Sequence, residues 1–159
     1  MKQEKDYLLK SATQKDCKLL YLWRSEKSVR QWSFNKKKFS IEKHKKWFAK
    51  NLKNKKILIK IFSYKKNKCG MVRLNLIKKN YNLSYLIDKS YRKKNLGKKM
   101  LSIFLNDISR NIKKDSIIYA KSDVKNTASN RCLASVGFKL LNKNKKINKY
   151  LYKINENPK

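Results

Sequence analysis

Apolar positions along the chain recur with two periods, and each predicts an element. Tyr7–Lys10 reads as a short opening strand. Thr13, with Asp16 three residues on, caps a helix whose apolar stripe is Leu19, Leu20, Leu22 and Trp23. Ser40 caps a second helix, IEKHKKWFAKNLK, in which Ile41, the stem of Lys45, Phe48 and Leu52 recur at helical spacing. Ile57, Ile59 and Ile61 alternate as in a strand, and so do Val72, Leu74 and Leu76 beyond the turn KKNKCG, which makes a hairpin. A turn near Lys79-Asn80 leads into a third meander strand, YNLSYLI. From Leu96 the period changes: Met100, Phe104, Ile108 and Ile112 fall at every fourth position of an amphipathic helix. A buried strand over Ser116–Ala120 follows, then a short helix over Asn126–Val136 ended by Gly137. Phe138–Leu141 and Ile147–Ile154 close as a strand pair. The order β-α-α-β-β-β-α-β-α-β-β is that of an α/β fold with a mixed central sheet, antiparallel first and then crossing over a helix.

Composition bounds this picture without changing it. A length of 159 residues with 40% hydrophobic content suits one domain spanning 1–159. Gly 3 and Pro 1 exclude fibrous and Pro/Gly-rich disordered classes. No apolar run approaches the roughly 20 residues of a spanning helix, and the first residues hold no continuous apolar segment, so neither a membrane span nor a secretory leader is expected. Cys17, Cys69 and Cys132 are widely spaced and unpaired in sequence, which argues against a disulfide framework or a metal site and fits a reducing cytoplasm.

Charge does add something. Lys+Arg number 44 against 10 Asp+Glu, a formal net charge of +34. A nucleic-acid-binding module is one reading of that excess. Lysine runs through every segment rather than one face, which favours a solvated, lysine-biased surface instead. Either way the field attracts anionic ligands and repels cationic ones.

The segment that carries chemistry is YLIDKSYRKKNLGKKML, residues 85–101, where a strand runs into a one-glycine loop opening directly onto the amphipathic helix. N–H groups at a helix N-terminus lack intrahelical acceptors and carry the positive end of the dipole. Gly97 admits a close approach, Asn95 tolerates left-handed angles, and Lys93, Lys94 and Lys98 add charge, so a pyrophosphate fits there. An ordinary strand-to-helix turn fits the same residues.

RKKNLGKKML resembles the R-x-x-G-x-G/A loop of the GCN5-related N-acetyltransferase (GNAT) superfamily, with Arg92 first, Asn95 at the middle glycine and Gly97 last. NTASNRCLASVGF, residues 126–138, resembles that superfamily's second conserved helix with its terminal Gly-Phe. Over about residues 5–140, LYLWRSEKSVRQWSF, SIEKHKKWF and CGMVRLN resemble the UDP-4-amino-sugar N-acetyltransferases of pseudaminic acid biosynthesis. Trp23-Arg24, Val29-Arg30, His44, Trp47-Phe48 and Gly70-x-Val72-Arg73 carry that match.

The resemblance implies that strands 81–87 and 116–120 splay apart to admit acetyl-CoA. The backbone of Leu86 and Ile87 is then expected against pantetheine. Amides of Arg92, Lys93, Lys94, Asn95, Leu96, Gly97 and Lys98 are expected on the pyrophosphate. Asn126, with Ser129 or Asn130, is expected on the opposite wall. The acceptor amine attacks the thioester directly, without a covalent enzyme intermediate. Many members place a tyrosine seven residues after the motif Asn; here that position is Leu133. Tyr85 becomes the expected acid, and Ser84 with water the route for proton removal, since no Glu lies in 57–87. Arg30, His44 and Asn75 are expected on the acceptor, with Trp47 and Phe48 in the core. The implied donor is acetyl-CoA, with no metal, and the implied partner is a UDP-linked amino sugar, with no membrane and a homodimer allowed. The alternatives are a protein N-terminus or small amine as acceptor, and the non-catalytic nucleic-acid module.

Overall fold

The computed structural model describes residues 6–154. The alternating segments become seven strands: β1 (Tyr7–Ser11), β2 (Ile57–Tyr64), β3 (Asn67–Ile77), β4 (Asn80–Ile87), β5 (Ile117–Asp123), β6 (Lys139–Lys143) and β7 (Ile147–Lys153). The helical stripes become α1 (Cys17–Ser25), α3 (Ile41–Leu52), α4 (Leu96–Ser109) and α5 (Thr127–Ser135). One further turn of helix, α2 (Lys27–Arg30), is too short to show a period in the sequence. The strands form one sheet in the order β1-β2-β3-β4-β5-β7-β6. Every neighbouring pair is antiparallel except β4–β5, which the α4 crossover makes parallel.

Local chemistry accounts for the boundaries. Ser40 Oγ accepts from Lys43 N–H at 3.2 Å and starts α3. The β2–β3 turn falls at Lys65 and Lys66, both left-handed at φ 48° and 68°, rather than nearer Gly70. Gly70 lies inside β3, where an added Cβ would meet Ile87 Cδ1 at 2.7 Å and Leu86 O at 2.9 Å. It lets β4 and α4 close down on β3. Gly137 ends α5 at φ +97°.

Side-chain alternation divides the interior between the two sheet faces. On one face Val72, Leu74, Leu83 and Ile118 pack against Met100, Leu101, Phe104 and Ile108 of α4 and Leu133 of α5. On the other, Ile59, Ile61 and Met71 pack against Leu20 and Trp23 of α1 and Phe48 of α3. No helix among the described residues is long and apolar enough to cross a membrane.

His44 belongs to this second core, which corrects its expected place on the acceptor. It is 3% exposed, and its Nε2–H donates to Cys17 C=O at 3.0 Å. Tyr21, Phe39, Trp47 and Phe48 surround the ring with centroids 5.6–5.9 Å away. The expected core position of Phe48 matches its full burial, while Trp47 is only half-buried.

Two outcomes follow from this packing. Gly70→Ala places a methyl against the Leu86 carbonyl, which cannot swing aside, and should destabilise the fold by about 1–3 kcal/mol in urea unfolding. Burial holds the His44 pKa below its ordinary 6.5, with the Arg24 charge acting in the same direction, so the unfolded chain binds the proton more tightly. The stability this neutral ring contributes is complete above the unfolded value and declines as pH falls toward the folded one. Urea midpoints at about pH 7.5 and about pH 5.5 should show a drop that His44→Gln reduces.

Candidate active site

Backbone hydrogen bonds decide which neighbour each peptide group of β4 faces. Asp88 N–H donates to Cys69 C=O at 2.9 Å. With the Met71↔Leu86 register, that bond turns Asn82, Ser84 and Leu86 toward β3, leaving Tyr81, Leu83, Tyr85 and Ile87 toward β5. In the same way Ile154 N–H on Ser116 C=O, at 2.9 Å, turns Tyr119, Lys121 and Asp123 of β5 toward β4. The parallel ladder nevertheless covers only Tyr81↔Ile118, Asn82↔Tyr119 and Leu83↔Ala120. Beyond it both strands continue, each paired on its outer side alone, so the sheet opens into a wedge. Tyr85 N–H and C=O and Ile87 N–H face the gap. Leu86 does not, because its peptide groups pair with Met71; the expectation for Leu86 is corrected to Tyr85, one residue earlier.

The carbonyls at the mouth are tied back to their own sides. Ile87 C=O accepts from Arg92 Nε at 3.0 Å. Asp123 C=O accepts from Asn126 N–H and Asn130 Nδ2, each at 3.0 Å. Trp23 Nε1 donates to Asp88 Oδ2 at 2.6 Å and fixes the end of β4 to α1.

After Asp88 the chain makes a turn of 3-10 helix, Lys89–Tyr91, and then two left-handed residues, Lys93 (φ 60°) and Asn95 (φ 59°). Asn95 C=O accepts from Lys99 N–H at 3.2 Å and α4 begins. Among the described residues no acceptor takes the N–H groups of Lys93, Lys94, Asn95, Leu96, Gly97 or Lys98. Six consecutive main-chain donors thus stand at the mouth of the wedge. Arg92 is not one of them, against expectation. Its N–H donates to Lys89 C=O at 3.4 Å, and its guanidinium reaches Ser28 Oγ at 2.7 Å and Glu26 Oε2 at 3.4 Å. Arg92 pins the loop to α2 and to the end of β4.

The opposite wall is α5. Asn126 Oδ1 caps it by accepting from Ser129 N–H at 3.2 Å, and Ser129 Oγ lies 3.1 Å from the Tyr85 hydroxyl. Asn130 is committed to the fold, which corrects its place as an alternative contact. Its Nδ2 donates to Asp123 and Val124 carbonyls, and its Oδ1 accepts from Asn148 and Tyr150. Leu133 is fully buried. Cys132, which the sequence did not single out, stands beside Tyr85; a Cβ on Gly97 would come 3.3 Å from its Sγ. Its spacing from Ser129, i and i+3 on one helix, was the available signal. Burial pushes the Tyr85 phenol and the Cys132 thiol upward, so the Tyr85 hydroxyl stays protonated across neutral pH.

Ser84 lies on the other side of β4, exposed, directly across from Arg73. This α1/α3 face is rich in unanswered polarity. Asn75 Oδ1 and Arg30 Nε are buried without a hydrogen-bond partner among the described residues. Arg24 and Arg73 both stand over the Trp47 ring, at 5.1 and 5.4 Å. A cavity of about 160 Å³ opens nearby, lined by Tyr21, Ser25, Arg30, Lys38 and Phe39. Arg30 lines this cavity, while His44 sits behind Tyr21 and Phe39. Tyr21, Lys38 and Phe39 escaped the sequence reading because they come together only through the packing of α1 on α3. No group of three His, Cys, Asp or Glu side chains gathers among the described residues.

This architecture recurs in solved structures. RimL, the ribosomal L7/L12 alpha-N-protein acetyltransferase in complex with coenzyme A, superposes with a TM-score of 0.78 at 18% identity, over 93% of this chain and 94% of that one. Spermidine N-acetyltransferase from Vibrio cholerae, in complex with CoA and spermine, gives 0.80 at 14% identity over 94% and 96%. A domain from Methanocaldococcus jannaschii gives 0.79 at 21% over 92% and 97%. At these identities the likeness is one of fold. No curated protein matches the sequence. The family model of the acetyltransferase (GNAT) domain matches residues 7–139, which is most of the chain, and the chain therefore belongs to the GNAT acetyltransferase family.

Proposed function

We propose that the wedge and its six main-chain donors bind acetyl-CoA, and that the enzyme transfers the acetyl group to the amine of a nucleotide-linked amino sugar. The observation that carries the first half is the ladder stopping at Leu83↔Ala120 beside unaccepted N–H groups at residues 93–98. Converging main-chain donors at a helix N-terminus fit a diphosphate. The outward N–H and C=O of Tyr85 and the N–H of Ile87 fit an extended, amide-bearing arm that completes the interrupted strand pairing.

Acetyl-CoA, once bound, supplies the activated acyl thioester. The chain's own contribution is orientation and proton handling. The Tyr85 and Ile87 N–H groups are the donors available in the wedge for a developing oxyanion. The Tyr85 hydroxyl, kept neutral by burial, hands a proton to the departing thiolate on the α5 side only as solvent returns one to it, since burial disfavours the phenolate. Ser84 and water carry the amine's proton away on the α1/α3 side. The two groups sit on consecutive residues but on opposite faces of β4, which separates proton removal from proton delivery. Ser129 holds the Tyr85 hydroxyl in place.

The acceptor half rests on the cavity between α1, α2 and the segment that leads into α3. Tyr21 and Phe39 offer aromatic faces for a base, and Arg30 and Lys38 offer cations for phosphate. Asn75 Oδ1, buried and unpartnered, is an acceptor for a sugar hydroxyl or the amine itself. Polycationic acceptors are disfavoured by this field.

CoA at low millimolar concentration should raise the melting temperature, because a ligand of the native state stabilises it by RT ln(1 + [L]/Kd). Thiol release should then occur with UDP-linked 4-amino sugars and not with N-terminal peptides; turnover on peptides alone would overturn the acceptor assignment. Gly97→Val directs a branched side chain toward Cys132 and Ile87 at the wedge and should weaken CoA binding by about tenfold or more in calorimetry.

A further inference from the structure

Among the described residues no acidic group answers the Arg24 and Arg73 cations. The Arg24 guanidinium carbon lies 5.1 Å from the centroid of the Trp47 ring and 5.7 Å from that of Phe39, and the Arg73 carbon lies 5.4 Å from that of Trp47. Both residues are half-buried, and among the described residues neither guanidinium makes a hydrogen bond or an ion pair. Elsewhere comparable cations are paired: Arg92 with Glu26, and Lys68 with Asp16. Burial pushes the Arg73 pKa down to about 10, with the neighbouring Arg24 charge acting in the same direction, and burial lowers that of Arg24. Two guanidiniums packed on one indole, each feeling the other's charge, partly stripped of water and lacking a counter-charge, are costly in the free protein. Aromatic faces orient them without neutralising them, and each fork keeps its N–H donors.

Position gives the pair a task. Arg73 is the cross-strand partner of Ser84, the first residue of β4 beyond the last ladder pair. Arg24 precedes Ser25 and packs on Phe39, both of which line the cavity with Arg30. Arg24 thus lies next to residues of the cavity, and Arg73 lies across from the first residue of β4 beyond the ladder. We propose that Arg24 and Arg73, splinted by Trp47, form an oxyanion subsite that grips a phosphate of the acceptor between its nucleotide end and its amine. The phosphate source rests on the nucleotide-sugar reading, whereas the oxyanion subsite rests on the unanswered pair. A diphosphate can occupy both forks at once and discharge their mutual repulsion.

The test titrates pyrophosphate, and separately UDP and succinate, into protein saturated with CoA, so that the residue 93–98 loop is filled. About 150 mM salt screens the diffuse surface charge. Arg24→Gln and Arg73→Gln should each lower pyrophosphate and UDP affinity by about tenfold, the loss of one charge-assisted contact, with CoA affinity unchanged as the check on folding. Arg73→Lys, which keeps the charge and loses the fork, should recover only part of it. Pyrophosphate affinity unchanged in both Gln variants, or no binding by the parent protein, overturns the subsite. Pyrophosphate and succinate binding through the pair while UDP does not bind keeps the subsite and removes the nucleotide reading. If CoA stabilises nothing, the acyl-transfer reading falls, and the pyrophosphate comparison between parent and Gln variants still decides the subsite.

Discussion

Backbone polar groups must find partners, and the site is built where this protein leaves that demand unmet. The parallel ladder between β4 and β5 ends after three pairs although both strands continue. Two carbonyls at the mouth are engaged on their own sides: Arg92 holds that of Ile87, and Asn126 and Asn130 hold that of Asp123. The strands diverge with these two acceptors occupied, and the donors of Tyr85 and Ile87 remain directed into the gap. The core depends on the same arrangement. Gly70 brings β3 close beneath the end of β4, and α4 can then start at the mouth of the opening.

The large positive charge acquires local meaning only where it is unanswered. Most lysines are exposed on the surface and screened by salt. On the face of α1 and α3, by contrast, guanidiniums are set against Trp47 and Phe39 in a partly dry environment, and Arg30 Nε has no acceptor among the described residues. Aromatic rings beside unpaired cations are suited to a planar, anionic ligand. The wedge on one side of β4 and this face on the other divide the two substrates between separate chemical surroundings.

The period of side chains was legible in the sequence, and with it the elements and their order. The Ser40 and Asn126 caps were readable for the same reason, since cap chemistry is local. Parity of hydrogen bonding was not. Whether Tyr85 or Leu86 faces the gap depends on a single bond from Asp88 to Cys69, which leaves no mark on hydrophobicity. β5 was read short at Ala120 because Lys121 and Asp123 break the apolar alternation next to the wedge. Arg92 and Asn130 looked like ligand contacts because they are polar and lie in the right segments, yet their side chains are spent on the scaffold. His44 was legible in principle: the row Ile41, His44, Phe48 turns inward more directly than one through Lys45.

The run of left-handed and helical residues from Lys93 to Lys98 offers main chain, not side chain, to whatever lies at its mouth. Handedness at two positions and the absence of bulk at Gly97 are what shape it. Apart from Leu96, whose side chain is buried in the core, the letters of the run are free to drift, and lysine can stand at most of them while the cradle they trace stays intact.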